Sequence, residues 1–350
     1  MTPRRQVQSG GPGSWNVQAE NVTLEAGLTV EDAADLARAL VREEFAGLVD
    51  VAVETAGRRA EDLVTALLER VTQQAPEAIQ AFRDPDVQYV LRAAQRAYAR
   101  TGDKDLGEML VGVLTDRVQH LDRDLRQIVL NESLEVVPRL MPDQLAALSV
   151  LFVVAYMGSG GVRDRQALHD RLDTMLVPFL DQVALSEASY RHLEYAGCAA
   201  VSHTVRSIES LVGQHFAGLF SKGFTAGRLD AAGEPPSRWQ GVVVRHPDDP
   251  RLLQFDVVNE EDLLNRTTRA GAPPDVRKRL STLLRMSTLN GEGMRAALVD
   301  CHPAMADLFR IWEGSPMQHT SLTSVGVAIG HANCRRTVGA SPGDLATWVD

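Results

Sequence analysis

His331 and Cys334 stand three residues apart in a stretch whose apolar pattern predicts a helix over 322–337, so their side chains share one face. A histidine beside a cysteine can generate a thiolate nucleophile, and Asn333 supplies the third residue type of a protease-like arrangement. The spacing argues against it. An i,i+3 pair on one helix leaves little room for a substrate between nucleophile and base, and cysteine is commonly a small buried hydrophobe. A second set, His192, Cys198 and His203 with Cys301 and His302 far downstream, carries metal-ligand residue types without the paired short spacings of a zinc site. Met157-Gly158-Ser159-Gly160-Gly161 has the composition of a phosphate cradle. It follows an apolar helix instead of a strand and lacks Gly-Lys-Ser/Thr, which predicts a plain turn. Arg277, Lys278, Arg279 and Arg285 form a short basic stretch read as a solvated helix face. No HExxH, GxSxG, kinase or paired-carboxylate motif is present. The expectation is therefore no catalytic, cofactor-binding or metal-ligating residue and no cofactor. A hydrolase with a convergent site invisible in sequence is the least favoured reading.

The elements that would position these residues are mostly helical. Trp15, Val17 and Ala19 alternate with Asn16, Gln18 and Glu20, the two-residue period of a half-buried strand, after a Pro/Gly/Ser-rich lead-in. From Ala33 to Val71 apolar residues recur mostly every third or fourth position, through Leu36, Leu40, Phe45, Leu48, Ala52, Ala56, Ala60, Leu63 and Leu67, which predicts one very long helix. Its Ala-rich stripe lacks sustained heptads and predicts packing on the body of the protein ahead of a coiled coil. Further helices are predicted over 84–100, 103–120, 122–137, 142–157, 163–180, 185–201 and 204–220, with Pro and Gly at their boundaries. Composition shifts near 221–250. Two β-like runs flank His246-Pro247-Asp248-Asp249-Pro250 and predict a small hairpin over 241–258. Asn259 caps the next predicted helix, and others follow near 274–287, 291–300 and 303–313. The fold class expected is mainly α: a multi-helix bundle with a long N-terminal helix, a short N-terminal strand and that hairpin. The division expected is a lead-in and strand over 1–27, a helical domain over 28–220, a linker with the hairpin over 221–258, and a C-terminal helical domain over 259–350.

Composition narrows the partners. The 350 residues carry 46 acidic and 36 basic side chains, a formal charge of −10, which disfavours a phosphate-tracking surface and hence nucleic acid. Only Lys104, Lys222 and Lys278 are lysines, and the Arg skew with abundant Ala, Val and Leu suits a GC-rich bacterial genome. Three scattered cysteines and a polar N-terminus without an apolar core argue for a reducing cytoplasm and against a signal peptide. The apolar run from Leu145 to Met157 would reach about 20 Å against a hydrocarbon core of about 30 Å, so a buried core helix is expected and membrane contact is disfavoured.

Several segments carry a resemblance. Ser14-Trp15-Asn16-Val17-Gln18-Ala19-Glu20-Asn21-Val22, Asp84-Pro85-Asp86-Val87-Gln88-Tyr89, Arg117, Gln127-Ile128-Val129-Leu130-Asn131-Glu132, the Met141–Phe152 stretch and the tail from Leu322 through Gly330 to Trp348 resemble an uncharacterised bacterial protein family. The tail is more distantly similar to abortive-infection proteins of the Abi-alpha type. Pro12 and Trp15 depart from the small-polar lead-in usual for the N-terminal motif. The resemblance implies a role in antiphage defence and carries no catalytic residues. The expected function is a cytoplasmic interaction protein that self-associates as a homo-oligomer and engages a protein partner not identified by sequence. An abortive-infection effector acting on the membrane or another cellular target is the alternative. Trp15, Asn16, Val17, Gln18 and Asn21 at one end, and Leu322, Thr323, Gly326, Gly330 and Trp348 at the other, are the candidate interaction residues. Gly326 and Gly330 let another helix approach closely, a face more often used within a chain than between chains.

Overall fold

The computed structural model describes residues 30–156, 158, 160–231, 236–239, 241–339 and 342–349, with the backbone alone over 30–48 and 236–237. Candidate residues Trp15, Asn16, Val17, Gln18 and Asn21 lie outside the described residues, as does the predicted N-terminal strand.

The architecture is mainly α. The described helices are α1 (Val30–Gln74), α2 (Pro85–Thr101), α3 (Lys104–Gln119), α4 (Leu125–Val136), α5 (Pro142–Ala155), α6 (Arg165–Met175), α7 (Val177–Leu180), α8 (Glu187–Tyr195), α9 (Ile208–Phe216), α10 (Ala226–Ala231), α11 (Glu260–Arg269), α12 (Pro274–Ser287), α13 (Gly291–Cys301), α14 (Ala304–Glu313), α15 (Ser324–Val338) and α16 (Ala346–Val349). Short polar side chains start many of them, because the first N–H groups of a helix have no intrahelical acceptor. Asp84 accepts from the N–H of Asp86 at 2.7 Å ahead of Pro85, Asp124 from Gln127 at 2.9 Å, and Asn259 from Asp262 at 2.9 Å. Gly102 ends α2 with φ of 62°, a left-handed conformation that disfavours any side chain.

Two units divide the chain, Met1–Gly57 and Arg58–Asp350. In the first, Val49, Val51 and Val53 on α1 are exposed. In the second, α1 buries Leu63, Leu67 and Val71, the end of the predicted stripe.

The second unit holds two apolar clusters. The larger one is centred on α5 and α15, which α3, α4, α6, α9, α13 and α14 surround. Every residue from Gln144 to Val154 is buried, as expected for a core helix. Among the described residues no helix is long and apolar enough to cross a membrane. The smaller cluster joins Ala217, Phe224, Leu229, Trp239, Phe255, Leu263 and Leu280 with their neighbours up to Leu284. The hairpin expected near 241–258 lies here, with β2 (Val243–Arg245) antiparallel to β3 (Leu253–Phe255).

The 221–258 stretch is packed together with α11 and α12 around a core of its own, and α13–α16 return to the larger core. One short sheet has no signal in the sequence: β1 (Ala199–Val201) pairs antiparallel with β4 (Thr320–Leu322). The helix predicted to run to 201 stops at Tyr195, and Gly197 with φ of 77° turns the chain into β1. Only the distant β4 makes that ending worthwhile.

Candidate functional site

Helix α15 carries the residues whose types suggested chemistry. Thr323 begins it, accepting from the Gly326 N–H at 3.1 Å and donating its hydroxyl to the Gly197 carbonyl at 2.5 Å. Gly326 and Gly330 then let the helix lie against backbone. A Cβ at 326 would fall 1.9 Å from the Cys198 carbonyl oxygen, and one at 330 would fall 2.8 Å from that of Leu148. Leu322 is buried, and Trp348 donates its indole N–H to the Tyr156 carbonyl at 2.7 Å while its ring meets Phe152 edge-on. The five C-terminal candidate residues are thus all engaged in contacts within the chain.

His331 donates from Nε2 to the Gly343 carbonyl at 2.9 Å and sits between Phe152 and Trp348, each ring centroid 5.8 Å away. Burial holds its pKa below the usual imidazole value, which favours the neutral ring. Cys334 is fully buried, and the same cause pushes its thiol up to about 12. A thiol that titrates so high supplies no nucleophile near neutral pH. Asn333 donates to Ser149 Oγ at 2.8 Å and to the Leu145 carbonyl at 3.3 Å, and its own oxygen accepts from Arg336. Arg335 grips Asp116 through both guanidinium arms at 2.7 and 2.9 Å. This polar face joins α15 to α5 and α3.

The second metal-like set does not assemble either. Cys198 is buried with its thiol pushed up to about 12, His192 meets Gln144 at 3.0 Å, and His203 is exposed. His302 lies instead beside His169 from α6, ring centroids 4.4 Å apart, with Asp173 Oδ1 3.8 Å from its Nε2. Two histidines and a carboxylate are metal-ligand types, but His302 Nδ1 accepts from the Ala304 N–H at 3.1 Å, which leaves the ring proton on Nε2 facing Asp173. Among the described residues no three His, Cys, Asp or Glu side chains gather to hold a metal. Two members of the basic stretch on α12 are paired with carboxylates: Arg279 with Asp275 at 2.9 Å and Arg285 with Glu260 at 3.0 Å.

One constellation escaped sequence reasoning. Arg117 near the end of α3 has a side chain with 0% exposure. It donates from Nη2 to Asp86 Oδ2 at 2.6 Å, from Nε to Asn131 Oδ1 at 2.8 Å, and from Nη1 to the His120 carbonyl at 2.8 Å. Asn131 donates back to the same Asp86 oxygen at 2.9 Å. These hydrogen bonds, together with the guanidinium charge, hold the Asp86 carboxyl below its usual pKa. One buried guanidinium therefore fixes α2, α4 and the α3–α4 turn to one another. The segments 84–89, 117 and 127–132, far apart in the chain, meet at this junction.

Around it four large apolar side chains stand exposed among charged ones. Tyr89 lies one turn beyond Asp86 on α2, Ile128 and Leu125 lie one and two turns before Asn131 on α4, and Leu121 follows His120. All four are exposed, at 59%, 46%, 53% and 49% respectively. Asp122 and Arg123, also exposed, place opposite charges beside Leu121. The residues were each visible in the sequence, and only the long-range bonds among Asp86, Arg117 and Asn131 show that the helices carrying Tyr89 and Ile128 are joined. A face of large apolar side chains on a rigid support can dock a protein surface.

Among known proteins, the model of one uncharacterised family matches residues 27–349. No curated protein and no solved structure matches.

Proposed function

The chain belongs to the uncharacterised family whose model spans residues 27–349, and on that premise we propose that it is a non-enzymatic protein that pairs with a second copy of itself through the face around Arg117. The observation that carries the reading is the exposure of Tyr89, Leu121, Leu125 and Ile128 on a support locked by the buried Arg117 guanidinium. A two-fold contact sets one patch against itself, so it needs self-complementarity. Apolar side chains meet this need directly, and Asp122 with Arg123 offers both signs of charge at the rim. The residue types that could have implied catalysis are spent on packing, as Cys334 and His331 illustrate. The setting we propose is antiphage defence, which rests on the resemblance of the N-terminal and tail segments.

Sedimentation velocity of the full chain tests the pairing. A dimer that becomes monomeric in Leu125→Glu/Ile128→Glu supports it. A monomeric wild type, or a dimer indifferent to both substitutions, would remove this face from consideration. Loss of pairing on deleting residues 1–27 would add the N-terminal segment to the contact. For the defence role, protection of an expressing strain against at least one phage of a broad panel is the expected result, lost in the same double variant.

A further inference from the structure

Arg171 on α6 is a half-buried guanidinium for which the fold provides no carboxylate. Its Nη1 donates to the Gly158 carbonyl, in the turn after α5, at 2.8 Å. That bond occupies one of the five N–H donors of a guanidinium. Among the described residues no Asp or Glu forms an ion pair with it, whereas Arg117, Arg335 and Arg336 each have one. Burial alone acts on its pKa and lowers it, with no neighbouring charge opposing that. A cation taken partly out of water costs free energy unless an anion or a set of hydrogen bonds offsets it.

The guanidinium stands at a cavity of about 30 Å³ where five helices meet. Val154 of α5, Leu168 and Leu172 of α6, Phe216 of α9, Leu298 of α13 and Met305 of α14 line it. Among the described residues Arg171 is its one polar lining side chain. A ligand suited to this place brings negative charge to the guanidinium and apolar atoms to the cavity. Phosphate or sulfate meets only the first condition. A planar carboxylate takes two parallel N–H bonds from the guanidinium fork, and an alkyl tail meets the second. The volume sets the length of that tail: a water-sized group needs about 10–15 Å³, so about two such groups fit.

We propose that Arg171 and this cavity bind a short-chain aliphatic monocarboxylate, its head paired to the guanidinium and its tail of about two carbons among Val154, Leu298 and Met305. None of the five helices carries the docking face around Arg117, so the two readings stand or fall separately.

Titration of the full chain with sodium propionate, followed through isotope-labelled methionine methyls, tests the site. The Met305 methyl should shift and saturate with a Kd of about 1 mM, while Met109, which does not line the cavity, should not move. Formate offers the head without the tail and should bind about tenfold more weakly. Hexanoate should bind no tighter than propionate, because its further carbons have no space to enter, and ethylammonium should leave Met305 unmoved. Arg171→Gln should weaken propionate about tenfold or more, with Arg171→Lys recovering part of the loss. Val212→Ile adds one carbon to the lining and should weaken propionate while sparing formate, and it decides the matter where Arg171→Gln does not fold. A Met305 methyl indifferent to propionate, or a response undiminished in the deciding variant, would overturn the site. So would formate, chloride or ethylammonium matching propionate.

Discussion

Asn333 on α15 and Asn131 on α4 make the same pair of bonds in different surroundings. Each accepts from an arginine through its oxygen and donates through its amide to a second helix: Asn333 to Ser149 and Leu145 of α5, Asn131 to Asp86 of α2. Around Asn333 the core closes on both sides, and the flanking His331, Cys334 and Ile329 are buried. Around Asn131 the guanidinium is sealed, but Asp86 is 45% exposed and the neighbours one turn away face solvent. The first arrangement consumes its polar groups in holding the fold. The second uses them to hold a surface in one shape. Residue type alone does not separate the two; burial does.

The largest effect should come from the α15 side, where Gly326→Ala forces a methyl into the Cys198 carbonyl and should cost about 3 kcal/mol in a urea titration. A loss below about 1 kcal/mol would show that α15 can move off β1 without penalty. Next, Arg117→Met removes the buried cation, leaving Asn131 Oδ1 without its donor and the Asp86 carboxylate with the Asn131 amide alone. With Asp86 half in water, the expected loss is about 2 kcal/mol, together with the dimer in sedimentation. Retention of both would deny the junction its role as a support.

Acid separates the regions further. His331 and His302 have folded pKa values below that of a free imidazole, so the unfolded chain binds protons first as pH falls. Stability is then fully present above about pH 6.5 and declines below it until the folded rings titrate. A thermal midpoint flat between about pH 7.5 and 5 would contradict this. The Asp86 carboxyl, held low by Asn131 and Arg117, acts in the lower range: its contribution persists until pH falls through the carboxylate values. The smallest effect is expected on the outer surface. Ile128→Ala should change stability by no more than about 0.5 kcal/mol while weakening the pairing, since the side chain is exposed in the single chain. A larger loss would mean that Ile128 belongs to the core and not to a docking face.

The helices were legible because their signals are local. Asp84-Pro85, Asp124 and Asn259 state where a helix starts by supplying an acceptor for otherwise unpaired N–H groups, and the apolar run from Leu145, broken only by Ser149, declares a helix buried on every side. The hairpin over 243–255 was legible for the same reason, with two β-like runs about a turn-forming stretch. The small size of Gly326 and Gly330 also marked a close approach in advance, though not the partners they approach.

What the sequence could not show depends on pairs distant along the chain. Ala199–Val201 is a strand only because Thr320–Leu322 lies beside it, and the stretch after 259 splits between two cores because α11 and α12 find Phe224 and Trp239 while α15 finds α5. His331 and Cys334 share a helix face by sequence, but only packing decides that this face is sealed and the thiol inert. Asp86, Arg117 and Asn131 are three unremarkable polar residues until tertiary contact puts one guanidinium between them. Periodicity and capping are properties of a few neighbouring residues, so the chain carries them wherever it goes. Burial and convergence belong to the folded molecule, because desolvation and charge pairing act across space without regard to sequence distance.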